Sequence, residues 1–197
     1  GKPLYHHIIQ TLLNCPQIDQ VCIDTDSPFI LEDAPQHFPT VKLLVRPEHL
    51  RAGEIPMNDV LLNSVSQVEA DLYLQTHSTN PLLRSNTISK AINQFLQSPD
   101  VDSLFGVTRL QTRLYDAEGK AINHDPNVLL RTQDLPPIYE ENSNLYIFKP
   151  EVLEQRKNRI GERPILFEID RDEAWDIDEE VDFRIAELLY LHREGKA

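Results

Sequence analysis

Short apolar runs alternate along this chain with longer segments of helical periodicity, and this alternation constrains the fold more than any other feature. Runs typical of strands occupy residues 20–24, 41–45, 71–75, 102–107, 144–148 and 164–169. Between them, apolar side chains recur at helical spacing, from a first helix near Leu4 to a last helix that includes Val181. Strands joined by helices of about 10 to 15 residues form right-handed crossovers. The sequence therefore predicts an α/β fold of three layers, Rossmann-like, with a mainly parallel sheet covered on both faces.

Residues 109–143 interrupt the alternation. Short strand-like pieces here flank a hairpin turn at 116–119, and a Pro-Pro pair follows at 136–137. The chain contains no internal repeat and no low-complexity linker. We therefore predict a single domain over residues 1–197, with residues 109–143 forming a β-hairpin insertion that projects from the sheet.

The net charge of −13 narrows the choice of partners. Nonspecific binding to nucleic acid or to a membrane surface requires a basic face, so neither partner is expected. No apolar run approaches the ~20 residues that span a bilayer. The two cysteines form no disulfide framework, so a reducing cytoplasm is the expected setting. An anionic substrate would need local arginines or a bound cation to overcome the negative field.

Five acidic side chains fall within the segment AWDIDEEVDF, residues 174–183. In an extended chain Asp176 and Asp178 share one face, and two such carboxylates suit Mg²⁺, which completes its shell with waters and substrate phosphates. The alternative is that Asp178 is the N-cap of the last helix, whose dipole favours acidic residues in its first turn. Spacing alone slightly favours the cap.

Three other side chains suit ligand binding. Gln75 opens a run of amides and hydroxyls, residues 75–80, that follows a buried strand and suits a sugar with several hydroxyl groups; a polar turn is the alternative. Arg131 is able to bind a carboxylate bidentately, or is a solvated arginine on the inserted hairpin. Arg46 leaves a strand end and suits a phosphate or base contact, or a surface salt bridge.

Taken together and in order, six segments are more specific than any one of them: GKPLYHHII, TDS, VRPEHL, LQTHSTNPLL, RTQDLPPIYEENSNLYIF and WDIDEEVDF. They resemble the acylneuraminate cytidylyltransferase family, the CMP-sialic acid synthetases, over essentially the whole chain. The resemblance implies a nucleotidyltransferase fold and a Mg²⁺-dependent reaction of CTP with a sialic-acid-like 2-keto sugar acid. The products are the CMP-sugar and pyrophosphate.

The resemblance also implies roles for individual residues. Asp176 and Asp178 match the catalytic, metal-binding aspartates, so the metal interpretation is preferred over the cap. The remaining matches are Arg46 for the nucleotide, Gln75 for the sugar, and Arg131, Gln133 and Asn142 in the segment that closes over the sugar acid. Family members pair through the inserted element, which implies a homodimer that uses residues near 109–143.

The phosphate-binding loop of the family, rich in Arg, Ser, Lys and Asn, would lie just before the segment that matches GKPL. We expect a strand and this loop to precede Gly1, because a parallel sheet without that strand would expose unpaired backbone groups. Without them we expect the chain to bind CTP poorly. Two alternatives remain open: a nucleotide-sugar-dependent glycosyltransferase, which also uses an Asp-x-Asp pair, and a non-catalytic module that binds the sugar acid.

Overall fold

The computed structural model describes residues 1–196, and over this range it contains six α-helices and six β-strands. The helices are α1 (Leu4–Leu13), α2 (Pro28–His37), α3 (Met57–Val65), α4 (Ser85–Leu96), α5 (Pro150–Arg156) and α6 (Glu180–Arg193). The strands are β1 (Cys22–Thr25), β2 (Lys42–Val45), β3 (Tyr73–Thr76), β4 (Ser103–Leu110), β5 (Ile138–Phe148) and β6 (Pro164–Glu168). Each apolar run that predicted a strand contributes one of them.

Two of these helices were not predicted from the sequence. α2 begins at Pro28, where the Ser27 hydroxyl accepts a hydrogen bond from the Ile30 backbone N–H at 3.4 Å. Pro35 lies inside α2, and because proline removes a backbone donor, it hides the helical pattern. α5 has seven residues, too few to show a periodic stripe.

The strands form two hydrogen-bonded groups. β1 and β2 pair in parallel, and a four-stranded sheet has the order β3-β5-β4-β6. β4 and β6 are parallel to each other, whereas β5 is antiparallel to both β3 and β4. The α/β prediction is confirmed, with three of the four strands in the larger sheet running the same way and β5 running against them.

The larger sheet is covered on both faces, which gives the predicted three layers. Along β5, Leu145 and Ile147 join the core cluster that includes α1 and α4. Tyr146 and Phe148 alternate with them and pack with Leu153 of α5 and with apolar residues of α3. Alternation of buried residues to both faces is expected of a strand at the centre of such a sheet.

The segment between β4 and β5 is shorter than the predicted insertion. Residues 138–143 belong to β5, so residues 111–137 connect the two strands. Within the connection, Gly119 donates a hydrogen bond to the Asp116 carbonyl at 3.0 Å and has a φ of +80°, which closes a tight turn.

Within residues 1–196, no helix is both long and apolar enough to cross a membrane.

Candidate active site

The loop that follows β3 lies against the segment that precedes α6. The backbone N–H of Ile177 donates to the Thr79 carbonyl at 3.0 Å, and the Asn80 amide donates to the Trp175 carbonyl at 3.5 Å. The sequence marked these segments separately, as a sugar-binding run and an acid cluster. The fold brings them together beyond the carboxyl end of β3, where α/β sheets bind ligands.

Three buried polar atoms in these two segments have no hydrogen-bond partner within residues 1–196. They are Asn80 Oδ1, Trp175 Nε1 and Asp176 Oδ1. Buried polar atoms in proteins are nearly always paired, so three such atoms in two adjoining segments are available to a polar ligand or an ion. An unpaired carboxylate oxygen in particular suits a cation.

The acid pair is not used to cap α6. The N-cap is Glu179, and the Asp182 side chain accepts from the backbone N–H groups of Glu179 at 2.9 Å and Asp178 at 3.3 Å. The interpretation of Asp178 as the N-cap was therefore wrong, because a capping box one residue later takes that role. Asp178 lies two residues after Asp176, and its side chain is exposed. The two carboxylates offer oxygen ligands of the kind that Mg²⁺ prefers.

Arg159 is the cation of this site, and sequence reasoning missed it. Its guanidinium donates to Gln75 Oε1 at 2.7 Å and stacks over the Tyr146 ring, 3.5 Å from the centroid. Its contact with Gln75 spans 84 residues of chain. The available signal was the basic run at 156–163, RKNRIGER, in an acidic chain.

His77 lies beside Gln75 and within the electrostatic influence of Arg159 and Asp176. Its Nε2 lies 3.1 Å from Gln75 Nε2, the imidazole acting as the acceptor of the amide proton. Burial lowers the pKa of His77, the charge of Arg159 lowers it further, and Asp176 opposes the shift. His77 is therefore neutral at pH 7 and adds no positive charge beside Arg159.

The loop that carries Arg159 is held by Asp102. Its carboxylate accepts from the backbone N–H groups of Glu162 at 2.8 Å and Arg163 at 3.1 Å. Burial works to raise the pKa of Asp102, but these hydrogen bonds outweigh it and lower the pKa below its usual value. A Cβ on Gly161 would collide with this carboxylate, so a larger residue there would displace the Asp102 side chain.

Asn142 lies inside the larger sheet. It is buried, and its amide donates to Thr108 Oγ1 at 3.1 Å while its carbonyl oxygen accepts from the Asn144 backbone N–H at 3.2 Å. On the β4 side, residues 142–145 of β5 lie between the pairs Phe105–Tyr146 and Val107–Glu141 and have only Gly106 opposite them. The Asn142 side chain thus holds a bulge in β5, and its implied contact with the sugar acid stays a prediction.

Arg131 and Gln133 lie on the exposed connection between β4 and β5, where Arg131 precedes a 3₁₀ helix at Thr132–Asp134 that includes Gln133. Arg131 forms a bidentate ion pair with Asp134, with N–O distances of 2.7 and 3.0 Å. Gln133 lines an open cavity with Arg109 and Asp170. Among the described residues, no hydrogen bond joins Arg131 or Gln133 to Gln75 or Asp176. Their roles stay predictions.

Arg46 follows β2 directly and pairs with β1. Its Nε donates to Asp24 Oδ1 at 2.7 Å, and Asp24 Oδ2 accepts from the Ser64 hydroxyl at 2.6 Å. The ion pair is largely buried, with side-chain exposures of 22% for Arg46 and 15% for Asp24. The salt-bridge alternative for Arg46 thus describes its contacts in the structure, and the nucleotide contact stays a prediction.

Glu173 anchors the acid segment to α4. It is 3% exposed, and its carboxylate accepts from the Arg84 backbone N–H at 3.0 Å and from Thr87 Oγ1 at 3.0 Å. We expect Glu173→Ala to lower the free energy of unfolding by about 1–3 kcal/mol, because it leaves a donor at the start of α4 unpaired. Denaturant unfolding followed by circular dichroism measures this change.

Asp172→Ala is the matched control for Glu173→Ala. Asp172 also forms an ion pair with Arg84, but this pair is exposed to solvent. The exposed fraction of the side chain is 43% for Arg84 and 51% for Asp172. Exposed pairs contribute about 0.2–1 kcal/mol, so the control should lose less stability. Equal losses in the two variants would show that Glu173 is not an anchor.

A three-layer α/β domain with an acid pair, an arginine and unpaired polar groups beyond one strand end has the features of a nucleotide-binding enzyme. Comparison with known proteins makes the class specific. A family model described as cytidylyltransferase matches residues 1–196. The chain belongs to the cytidylyltransferase family.

Named relatives support this placement. The chain is 29% identical to post-translational flagellin modification protein B of Campylobacter coli, over 93% of the chain and 82% of that protein. It is 25% identical to N-acylneuraminate cytidylyltransferase of Streptococcus agalactiae, over 93% of the chain, but it spans only 46% of that protein's length. It is 23% identical to pseudaminic acid cytidylyltransferase of Campylobacter jejuni, over 96% of the chain and 86% of that protein.

A solved structure supports the fold. The CMP:2-keto-3-deoxy-manno-octonic acid synthetase complexed with CTP superposes with a TM-score of 0.70 and 17% identity. The superposition covers 99% of this chain and 89% of that one. At this identity the likeness shows the fold alone, and it confirms the predicted nucleotidyltransferase architecture.

Proposed function

We propose that this protein transfers CMP from CTP to a sialic-acid-like 2-keto sugar acid, releasing pyrophosphate, with Mg²⁺ held by Asp176 and Asp178. The observation that carries the proposal is the buried, unpaired Oδ1 of Asp176 in a chain of the cytidylyltransferase family. Relatives named for N-acylneuraminate and pseudaminic acid favour a nine-carbon sugar acid as the acceptor. Family membership also favours this reaction over the glycosyltransferase alternative.

In this reaction the anomeric hydroxyl of the sugar acid attacks the α-phosphorus of CTP, and pyrophosphate leaves from the opposite side. Transfers of this kind are catalysed mainly by positioning and by neutralising charge on phosphate oxygens. When bound, Mg²⁺ supplies positive charge at the α-phosphate and lowers the pKa of the attacking hydroxyl. Asp176 and Asp178 bind the cation, and Arg46 contacts the nucleotide.

Gln75 and Arg159 bind the sugar acid in this proposal. Gln75 offers an amide to sugar hydroxyls, and Arg159, which already contacts Gln75, offers a cation to the carboxylate. Neutral His77 beside them leaves Arg159 as the charge that selects an anionic sugar. Arg131 and Gln133 close over the acceptor from the connection between β4 and β5.

Calorimetric titration of the full-length gene product tests the proposed ligands. We expect CTP to bind in the presence of Mg²⁺ and to bind much more weakly when the metal is chelated. Absence of CTP binding under both conditions would argue for a module that binds only the sugar acid.

Substitution of Arg159 or Arg131 tests the proposed recognition of the sugar acid. Arg159→Ala and Arg131→Ala should each raise KM for the sugar acid about tenfold or more, because a charge-assisted hydrogen bond contributes about 1.5–3 kcal/mol. KM for CTP should change little in either variant. Steady-state kinetics with each substrate varied in turn provide the measurement.

Arg156→Ala is the control for Arg159→Ala. Arg156 precedes the same loop and makes an exposed ion pair with Glu162 at 2.6 Å. It should leave both KM values unchanged. If Arg159→Ala raises the two KM values equally, Arg159 acts through folding of the loop and not through the sugar acid.

The same proposal includes a homodimer formed through the connection between β4 and β5. Several apolar side chains are exposed there, and Leu129 is the most exposed at 91%. The others are Tyr115, Ile122, Val128 and Leu130. Exposed apolar groups clustered in one connection favour burial against a second copy of the chain.

A further inference from the structure

Two histidines and one aspartate join α1 to α2. His6 Nε2 lies 2.6 Å from Asp33 Oδ2, and His37 Nδ1 lies 3.2 Å from Asp33 Oδ1. The imidazole rings of His6 and His37 have centroids 4.8 Å apart. One potential ligand atom from each of the three residues lies within 4.8 Å of the other two. Three metal-binding groups therefore converge from two helices.

The sequence alone gave no sign of this cluster. His6 and His7 lie beside the apolar stripe of the first helix without an evident metal partner, a pattern that favours a structural role. For His7 this agrees with its ring, which packs on Tyr190 at 5.0 Å. For His6 it was incomplete, because Asp33 lies 27 residues along the chain and only the packing of α2 brings it close.

The surroundings fix two of the three groups. Besides the contact with His6, Asp33 accepts a hydrogen bond from the Tyr5 hydroxyl. The Phe38 ring packs edge-on against His6 at 4.8 Å. A second hydrogen bond to a ligating carboxylate orients it, as outer-sphere partners of metal sites do.

Exposure differs across the cluster in a way that suits ion entry. The side chains of His6 and Asp33 are 8% and 17% exposed, whereas that of His37 is 51% exposed. His37 Nδ1 also lies 3.1 Å from the Asp33 carbonyl. The His37 ring has room to turn from that carbonyl towards an ion, and the other two ligands are already fixed.

We propose that His6, Asp33 and His37 form a binding site for a divalent transition-metal ion of the zinc class, with water in the remaining position. Imidazole together with carboxylate suits Zn²⁺, whereas Mg²⁺ prefers oxygen ligands. Zn²⁺ holds nitrogen and oxygen ligands at about 2 Å, which sets them about 3–3.5 Å apart. His6 lies 2.6 Å from one carboxylate oxygen of Asp33 and His37 lies 3.2 Å from the other, and one potential ligand atom from each of the three residues lies within 4.8 Å of the other two, so the side chains need to adjust to admit the ion.

The bound ion takes the place of the direct contacts between the imidazole nitrogens and Asp33. One carboxylate and two neutral imidazoles leave a net charge of +1 on the loaded site, which is favourable in a chain of net charge −13. Within residues 1–196, no hydrogen bond or ion pair connects the cluster to Gln75 or Asp176. The cluster thus shares no direct polar contact with the proposed Mg²⁺ pair, and the effect of a bound ion is to tie α1 to α2.

Titration of the chelator-treated protein with Zn²⁺ in millimolar Mg²⁺ tests the site. We expect one Zn²⁺ per chain and a rise in the midpoint of thermal unfolding, because an ion that binds only the folded state stabilises it. His37→Ala removes an exposed ligand without opening the core, and it should weaken Zn²⁺ affinity at least about tenfold. Excess Mg²⁺ keeps the acid pair occupied throughout.

His49→Ala is the matched control, since His49 is exposed and outside the cluster. It should bind Zn²⁺ as the unaltered protein does, and so should Asp176→Asn. The proposal is overturned if the unaltered protein shows no saturable Zn²⁺ binding, or if His37→Ala binds Zn²⁺ as tightly as His49→Ala.

Discussion

Asp176→Asn is expected to lower kcat by about 100-fold or more while leaving the fold intact. The substitution removes one negative ligand from the Mg²⁺ pair, and loss of a group that stabilises charge in the transition state costs about 10²–10³ in kcat. The Asp176 side chain makes no capping contact, because Glu179 and Asp182 cap α6. Stability should therefore change little. Initial rates of pyrophosphate release, with circular dichroism as the check on folding, provide the measurement.

Asp178→Asn should behave in the same way, with a higher Mg²⁺ concentration needed for half-maximal rate. Glu180→Gln is the control, because Glu180 is an exposed acid of the same cluster without a proposed ligand role. It should retain full activity. Wild-type rates in both aspartate variants would rule out the metal interpretation of this pair.

Gly161→Ala is expected to lower the free energy of unfolding by about 3 kcal/mol, a large effect for one methyl group. The new Cβ would occupy the position of the Asp102 carboxylate. Asp102 would have to leave the backbone N–H groups of Glu162 and Arg163, and overpacking of this kind costs about 1–3 kcal/mol before lost hydrogen bonds are counted. Because the loop also carries Arg159, KM for the sugar acid should rise. Denaturant unfolding and steady-state kinetics measure the two effects.

A double substitution separates the collision from other causes. Gly161 does not have a positive φ, so alanine fits the backbone there and only the Asp102 side chain opposes it. In an Asp102→Ala background, Gly161→Ala should cost less than about 1 kcal/mol, a strong coupling for residues in contact. If Gly161→Ala costs the same in both backgrounds, the collision with Asp102 is not the cause of its effect.

Patterns within short windows predicted much of the fold. The six apolar runs gave the six strands because burial in an α/β sheet makes each strand locally apolar. The antiparallel direction of β5 was not predictable, because a run such as 144–148 looks the same in either direction. The length of β5 was also missed, since residues 140–143 are polar and a bulge at Asn142 breaks the alternation of the strand.

The candidate site was predicted where chemistry is local in sequence. Gln75 and Asp176 each follow from a polar or acidic run beside an apolar strand or helix. Arg159 and Glu173 were missed because their roles depend on contacts 84 and 89 residues away along the chain. Such contacts appear only when β3, α4 and the loop after α5 are packed together.

The most direct test of the proposed function is identification of the product formed from CTP. The full-length gene product is incubated with CTP, Mg²⁺ and, separately, N-acetylneuraminic, legionaminic, pseudaminic and 3-deoxy-manno-octulosonic acids, and nucleotides are identified by mass spectrometry. We predict a CMP-sugar from at least one of these acids, with one pyrophosphate released per CMP-sugar and none formed without Mg²⁺. Failure to form a CMP-sugar from any of the four acids, in a protein shown by calorimetry to bind CTP, would contradict the proposed cytidylyl transfer to a sugar acid.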